Sequence, residues 1–238
     1  MRGLPPFAAA ALLLDMDGTL LDIAPTPDAV VVAEGLPETL RRLAGTLGGA
    51  LAIVTGRPVE QIDALLPGIV PVVCGEHGGA MRAAPGAVLT RGKLPSIPEA
   101  VLADAAALVS AHPGAILERK AHGFVLHYRL APGAGAALHA AALRLVAGLG
   151  PFQLTAAHMA WEIRPTGVDK GVAVRTIMQL PLFAGRLPVF IGDDITDEDG
   201  MAAARELGGA GLFVPTVFGG APGVRDWLSR CVTGWAGV

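Results

Sequence analysis

A chain of 238 residues that is 52% hydrophobic can build one large core or two small ones, and this composition rules out disorder. Its formal net charge of -3 and pI near 6.0 offer no cationic footprint, which excludes nucleic acid and anionic membrane surfaces as partners at the level of composition. Two cysteines, Cys74 and Cys231, lack both the number for a disulfide framework and zinc-ligand spacing, so a reducing cytoplasm is expected, and no stretch offers the roughly 20 apolar residues of a membrane span.

The apolar run Phe7 to Leu14 stops at Asp15 without a cleavage region behind it, and its end reads as a buried strand, not a secretory leader. Asp15 and Asp17 then enter a turn at Gly18, which places two carboxylates at the carboxyl end of a strand. Ligands of open α/β sheets bind at that end, yet an isolated Asp-x-Asp-Gly is as readily a plain turn with a capping residue; on this stretch alone both readings stand. Pro25 and Pro27 impose an extended loop. Pro37, then Leu40, Leu43 and Leu47, mark an amphipathic helix closed by Gly48-Gly49. The strand Leu51 to Val54 runs into Thr55-Gly56-Arg57, and Pro58 opens a helix carrying Ile62, Leu65 and Leu66. A third strand, Val70 to Val73, ends in Cys74-Gly75-Glu76-His77-Gly78-Gly79. Strand and helix alternate up to about residue 80, which predicts an α/β fold with a doubly wound parallel sheet.

The rhythm then changes. Met81 to Leu89 is predicted as a strand, Pro98 to Ala111 as a helix, Ala115 to Ala121 and Phe124 to Leu130 as strands hinged by His122-Gly123, Gly135 to Leu149 as a helix and Phe152 to Ile163 as a hairpin. Strands joined by tight turns pair antiparallel, so 82–163 is expected to be an inserted α+β cap domain between core segments 1–81 and 164–238. From Lys170 the alternation resumes: a helix to Leu180, the strand Leu187 to Ile191 ending in Gly192-Asp193-Asp194, a helix Glu198 to Leu207, a strand Gly211 to Val214 and a helix Val224 to Ser229.

Three strand ends thus deliver polar groups to one edge of one sheet: Asp15 with Asp17, Thr55 with Arg57, and Asp193 with Asp194 and Asp197. Carboxylates gathered at a desolvated edge repel one another and call for a cation, and oxygen-only ligands point to magnesium. In order along the chain, Asp15-Met16-Asp17-Gly18-Thr19, Thr55-Gly56, Lys170 and Gly192-Asp193-Asp194-Ile195-Thr196-Asp197 resemble the four motifs of the haloacid dehalogenase-type phosphotransferases. The resemblance implies a Rossmann-like core in which Asp15 attacks phosphorus to form an aspartyl-phosphate and Asp17 serves as acid and then base. Thr55 and Lys170 would hold the phosphoryl oxygens, and Mg2+ would be bound by Asp15, the Asp17 carbonyl and Asp193, with Asp194 and Asp197 in support. A carboxylate attacking an anionic phosphate is repelled unless positive charge offsets both partners. The chain has only three lysines, Lys93, Lys120 and Lys170, and losing Lys170 is expected to cost turnover more than folding.

Within the insert, Glu118 and Lys120 share one strand face, His127-Tyr128-Arg129 follows on the next strand, and Glu162-Ile163-Arg164-Pro165 lies on the hairpin's return. Two carboxylates and an ammonium suit a neutral polyhydroxylated ligand; a cross-strand Glu-Lys pair on a solvated sheet accounts for the same residues equally well. Taken with Ile23, Pro27-Asp28, Gly75-Glu76-His77-Gly78 and Lys170-Gly171, these positions resemble the trehalose-6-phosphate phosphatase family over nearly the whole chain. What this implies is a Mg2+-dependent phosphoric monoester hydrolase acting on trehalose 6-phosphate, with Glu118, Lys120 and Glu162 on the sugar. Further substrate contacts are expected from Asp15, Asp17, Thr55, Gly56 and Arg57, and from His77, for which a structural hydrogen bond is an equal reading. A cytoplasmic monomer, coupled in function to a trehalose-6-phosphate synthase, completes the expectation. Two segments depart from the family pattern, Ala157-His158-Met159-Ala160-Trp161 at the hairpin and Met201 after the acidic motif. The alternatives are a phosphatase for another glycosyl phosphate, such as sucrose or mannosylglycerate phosphate, and a non-catalytic sugar-phosphate sensor.

Overall fold

Uninterrupted apolar runs become strands covered on both faces. In the computed structural model, which describes residues 3–237, every residue of β1 (Ala10–Leu14), β2 (Leu51–Val54) and β3 (Val72–Gly75) is buried. They join β10 (Leu187–Gly192), β11 (Ala210–Phe213), β4 (Ala80–Arg82) and β5 (Thr90–Arg91) in one sheet of order β11-β10-β1-β2-β3-β4-β5. The first five neighbours pair in parallel, and β4 and β5 add an antiparallel edge. This sheet belongs to a first unit, Met1–Gly92 with Asp169–Val238; Lys93–Val168 forms a second.

The strand order reverses between β1 and β10, so right-handed crossovers place α1 (Leu36–Thr46) and α2 (Val59–Leu65) on one face and α6 (Glu198–Glu206) on the other. Consistent with that, α1 packs against α8 (Ala221–Arg230), whereas α5 (Lys170–Ile177) packs against α6. Leu40 and Leu43 of α1 are fully buried, as their helical spacing predicts. Gly200 of α6 lies against the ring of Phe190 in β10, and Met201 is buried in the same core. Trp235 stacks on Trp227 at 5.5 Å and donates its indole N–H to the Pro5 carbonyl at 2.7 Å, which fastens the two ends of the described chain to each other.

Register sets the site. Leu14 pairs with both Ile53 and Ile191, so Asp15, Thr55 and Asp193 leave the sheet at one edge, on either side of the reversal.

The second unit is a four-stranded antiparallel sheet of order β6-β7-β9-β8, formed by β6 (Ile116–Lys120), β7 (Gly123–His127), β8 (Phe152–Ala157) and β9 (Ala160–Pro165), with α3 (Glu99–Ser110) and α4 (Gly135–Ala147). Alternation divides its faces. Phe124, Leu126, Ile163 and Phe152 build a core with Ala105 and Ala142 of the helices, and the opposite face carries Glu118, Lys120, His127, Glu162 and Arg164.

Several expected boundaries shift. Of the strand expected over Met81 to Leu89 only Met81-Arg82 forms, as the end of β4; the chain turns at Pro85-Gly86 and β5 follows beyond Leu89, and both strands extend the first unit's sheet because β4 turns back on β3. The units therefore divide after Gly92 and after Val168, each later in the chain than the divisions expected after 81 and after 163. β3 begins two residues later than expected, and a short helix α7 (Val214–Val217) follows β11 where none was expected.

Phe190→Ala is expected to destabilise the protein by about 3–5 kcal/mol in denaturant unfolding, because it empties the fully buried contact between β10 and α6. A loss below about 1 kcal/mol would show that this layer lies outside the cooperative core.

Candidate active site

Lys170 is the first residue of α5, whose start is fixed by Asp169 accepting the Val172 N–H at 2.7 Å. From there its ammonium reaches inward and donates to Asp15 Oδ1 and to Asp197 Oδ1, both at 2.6 Å. All three residues are buried. The other oxygen of Asp197 accepts the N–H groups of Asp193 at 3.1 Å and Asp194 at 3.0 Å, so the acidic loop wraps around its own last carboxylate. Asp194 caps the turn by accepting the Ile195 N–H at 2.7 Å. Asp193 instead points toward the turn after β1, where Thr19 Oγ1 stands 3.4 Å from it. Gly18, at φ +79°, makes this approach possible: a Cβ there would lie 2.0 Å from Asp193 Oδ2.

Asp15, Asp193 and Asp197 each place a carboxylate oxygen within 4.8 Å of the others. Burial pushes Asp15 well above the ordinary carboxylate range, and the Asp197 charge adds to this against the pull of Lys170. Burial and Asp197 likewise raise Asp193 to about 7. Burial also opposes the Lys170 ammonium, but Asp15 and Asp197 outweigh it and hold the group above its usual value. Such an oxygen-only cluster, crowded enough to resist ionisation, is suited to a hard divalent cation.

A second set of groups surrounds β2's exit. Thr55 is buried, and its Oγ1 accepts the Arg57 N–H at 3.2 Å. Arg57 clasps Asp17 from the side, Nε to Oδ2 at 2.6 Å and Nη2 to Oδ1 at 2.7 Å, while Nη1 donates to Gln61 at 3.1 Å. His77 and Glu76 are both left-handed at φ 54°, held there by N–H bonds to the Thr55 and Arg57 carbonyls at 3.0 Å each. Holding two non-glycine residues in that region costs roughly 1–3 kcal/mol apiece. It brings the His77 ring onto Gly56, where Nε2 stands 2.5 Å from the position of an added Cβ.

In the second unit, Lys120 donates to Glu162 Oε1 at 2.8 Å, and His127 Nε2 lies 2.8 Å from Glu118 Oε2. Val125 pairs with both Glu118 and Glu162, so the two carboxylates occupy one row across three strands. Burial opposes ionisation of Glu118, yet the His127 hydrogen bond and the Lys120 charge bring it below its ordinary value.

A sequence model of the trehalose-phosphatase family matches residues 13–220. The chain belongs to this family. It is 36% identical over 237 residues to the trehalose-6-phosphate phosphatase of Escherichia coli K12, covering 95% of this chain and 88% of that one. Among solved structures it is similar to the C-terminal domain of the Candida albicans trehalose-6-phosphate phosphatase, with a TM-score of 0.79 at 20% identity, covering 94% and 93% of the two chains. A haloacid dehalogenase-like hydrolase from Bacteroides thetaiotaomicron has the same type of fold, with a TM-score of 0.60 at 14% identity, covering 92% and 98%. Trehalose-phosphatases are phosphoric monoester hydrolases, and among the described residues no helix is long and apolar enough to cross a membrane.

Of the residues singled out in the sequence, Asp15, Lys170 and Asp197, all buried, form one cluster with the half-buried Asp193, and Asp17, Thr55, Gly56, Arg57 and His77 form a second bonded group. Glu118, Lys120 and Glu162 share the polar face of the second unit's sheet. Sequence reasoning missed Gln61, His127 as the partner of Glu118, and the lateral pairing of Arg57 with Asp17; residues 40 positions apart leave no local signal of such a pair.

The two ion pairs of Lys170 add a contribution to folding beside the turnover role expected of it. Removing its ammonium would leave two buried carboxylates facing each other, so Lys170→Met is expected to destabilise the fold by about 3–5 kcal/mol in denaturant titration as well as to abolish turnover. Because Asp193 is raised from 3.8 to about 7, the folded metal-free protein retains a proton that the unfolded chain has lost across that window, and its stability falls as pH rises through it. A divalent cation held by this cluster would compete with that proton. The upward shift in melting temperature on adding Mg2+ is therefore expected to be larger at about pH 8 than at about pH 5.5; equal shifts would remove Asp193 from the metal set.

Proposed function

We propose that this trehalose-phosphatase hydrolyses trehalose 6-phosphate to trehalose and inorganic phosphate, with Asp15 as the nucleophile. The observation that carries the reading is the buried Asp15 carboxylate at the end of β1, held by an ammonium at 2.6 Å inside a three-carboxylate cluster.

One Asp15 oxygen attacks phosphorus and the bond from phosphorus to the sugar oxygen breaks, leaving an aspartyl-phosphate. The departing oxygen takes its proton from the Asp17 carboxyl. Asp17 then removes a proton from water, the water oxygen attacks phosphorus, and the bond to Asp15 breaks to release phosphate. Thr55 donates its hydroxyl to a phosphoryl oxygen, and Lys170 offsets the charge on Asp15 and on the transferred group. Asp15, the Asp17 carbonyl and Asp193 are the residues that would hold Mg2+, with Asp197 and Asp194 fixing the loop behind them. The cation supplies neutralisation of the charge that otherwise repels carboxylate from phosphate.

Glu118, Lys120 and Glu162 recognise the sugar: carboxylate oxygens accept from hydroxyl groups, and the ammonium donates. The protein is taken to act as a cytoplasmic monomer, coupled in function to a synthase that makes its substrate.

Phosphate release from trehalose 6-phosphate, sucrose 6-phosphate and mannosylglycerate phosphate, with Mg2+ and with chelator, tests the proposal. The expected result is preferred turnover of trehalose 6-phosphate that is lost on chelation and reduced by a factor on the order of 10³ or more in Asp15→Asn. Equal turnover of another sugar would overturn the substrate, and activity surviving in Asp15→Asn would overturn the nucleophile.

A further inference from the structure

Arg57 sits beside the phosphoryl chemistry, where an arginine is most simply read as an anion binder. Its bonds indicate another task. All three guanidinium nitrogens already donate within the protein: Nε and Nη2 to the two oxygens of Asp17 and Nη1 to Gln61 Oε1. The Arg57 side chain is only 9% exposed, whereas that of Asp17 is 35% exposed. The buried partner is thus the fixed one, and it holds the more accessible partner. The backbone of Arg57 is fastened too, its N–H to Thr55 Oγ1 at 3.2 Å and its carbonyl to the Glu76 N–H at 3.0 Å. Two parallel bonds from a planar fork define both the plane and the direction of a carboxylate, which a single bond or a point charge does not.

We infer that Arg57 is a positioning residue for the acid–base step: it fixes the Asp17 carboxyl toward the oxygen that leaves and the water that enters, and it does not bind the substrate. The assignment rests on the proposed role of Asp17. It deepens that role by separating groups that act on phosphate (Thr55, Lys170) from one that acts only through Asp17.

The test is leaving-group dependence. p-Nitrophenolate departs readily without a proton, phenolate less so, and a sugar alkoxide needs protonation. In Arg57→Lys, which keeps the charge but loses the fork, kcat for trehalose 6-phosphate is expected to fall on the order of 10²-fold with KM changed less than about threefold. The first-turnover release of p-nitrophenol from p-nitrophenyl phosphate is expected to change less than about threefold, with phenyl phosphate between the two. In an Asp17→Asn background, Arg57→Lys should add little further loss. Gln61→Leu, which removes only the brace on Nη1, should show the same ordering at smaller size and reports the effect if Arg57→Lys does not fold by thermal melt.

A raised KM with kcat preserved would make Arg57 a substrate-binding residue and overturn the inference. So would equal losses on all three substrates, which indicate general damage to the site. Wild-type protein inactive on trehalose 6-phosphate would overturn the proposed substrate alone, since the two aryl phosphates still decide the role of Arg57.

Discussion

The Lys170 ammonium lies between two buried carboxylates, and the arrangement of the site depends on that contact. Parallel pairing of β1 with β10 brings Asp15 and the 193–197 loop to one edge, where negative charge accumulates in a place with little water. One ammonium at 2.6 Å from both Asp15 and Asp197 makes this tolerable and at the same time ties α5 to the acidic loop and to the central strand. A lysine ammonium is a compact point charge, and here it is shared between one oxygen of Asp15 and one of Asp197. Of the three lysines in the chain, Lys120 is also held in an ion pair with little exposure, which leaves Lys93 as the exposed one.

The carboxylates divide into two kinds by their partners. Asp197 has both oxygens engaged by protein donors, so its charge serves to shape the loop and to hold Lys170. Asp193 is instead turned toward Gly18, and a side chain at residue 18 would occupy the space that Asp193 now fills. One glycine therefore allows the turn after β1 and the turn after β10 to approach each other closely.

The second unit organises charge in a different way. Its sheet has an apolar face that builds its own core with two helices and a polar face where Glu118, Lys120, His127 and Glu162 bond in pairs. Period-two alternation separates the two faces within the same strands, so the residues that build this unit's core are distinct from those that carry its charge. Pairing of Glu118 with His127 and of Glu162 with Lys120 also fixes the direction of each carboxylate.

The alternation of strand and helix, the parallel sheet, the inserted α+β segment and the acidic strand ends were legible in the sequence, because hydrophobic period and turn residues act over a few positions. The family could be read there too, because its motifs are short and stand at turns. Tertiary structure alone decided which unit holds residues 82–92, since pairing of β4 with β3 depends on the chain turning back after Glu76 and His77, which local pattern does not show. It also decided that the Lys170 ammonium lies between two buried carboxylates and that Arg57 holds Asp17. Charges that stand 155 and 40 residues apart along the chain meet only after register and crossovers have placed their strands side by side. Amino-acid type tells what such a group can do; only the fold determines what it does it to.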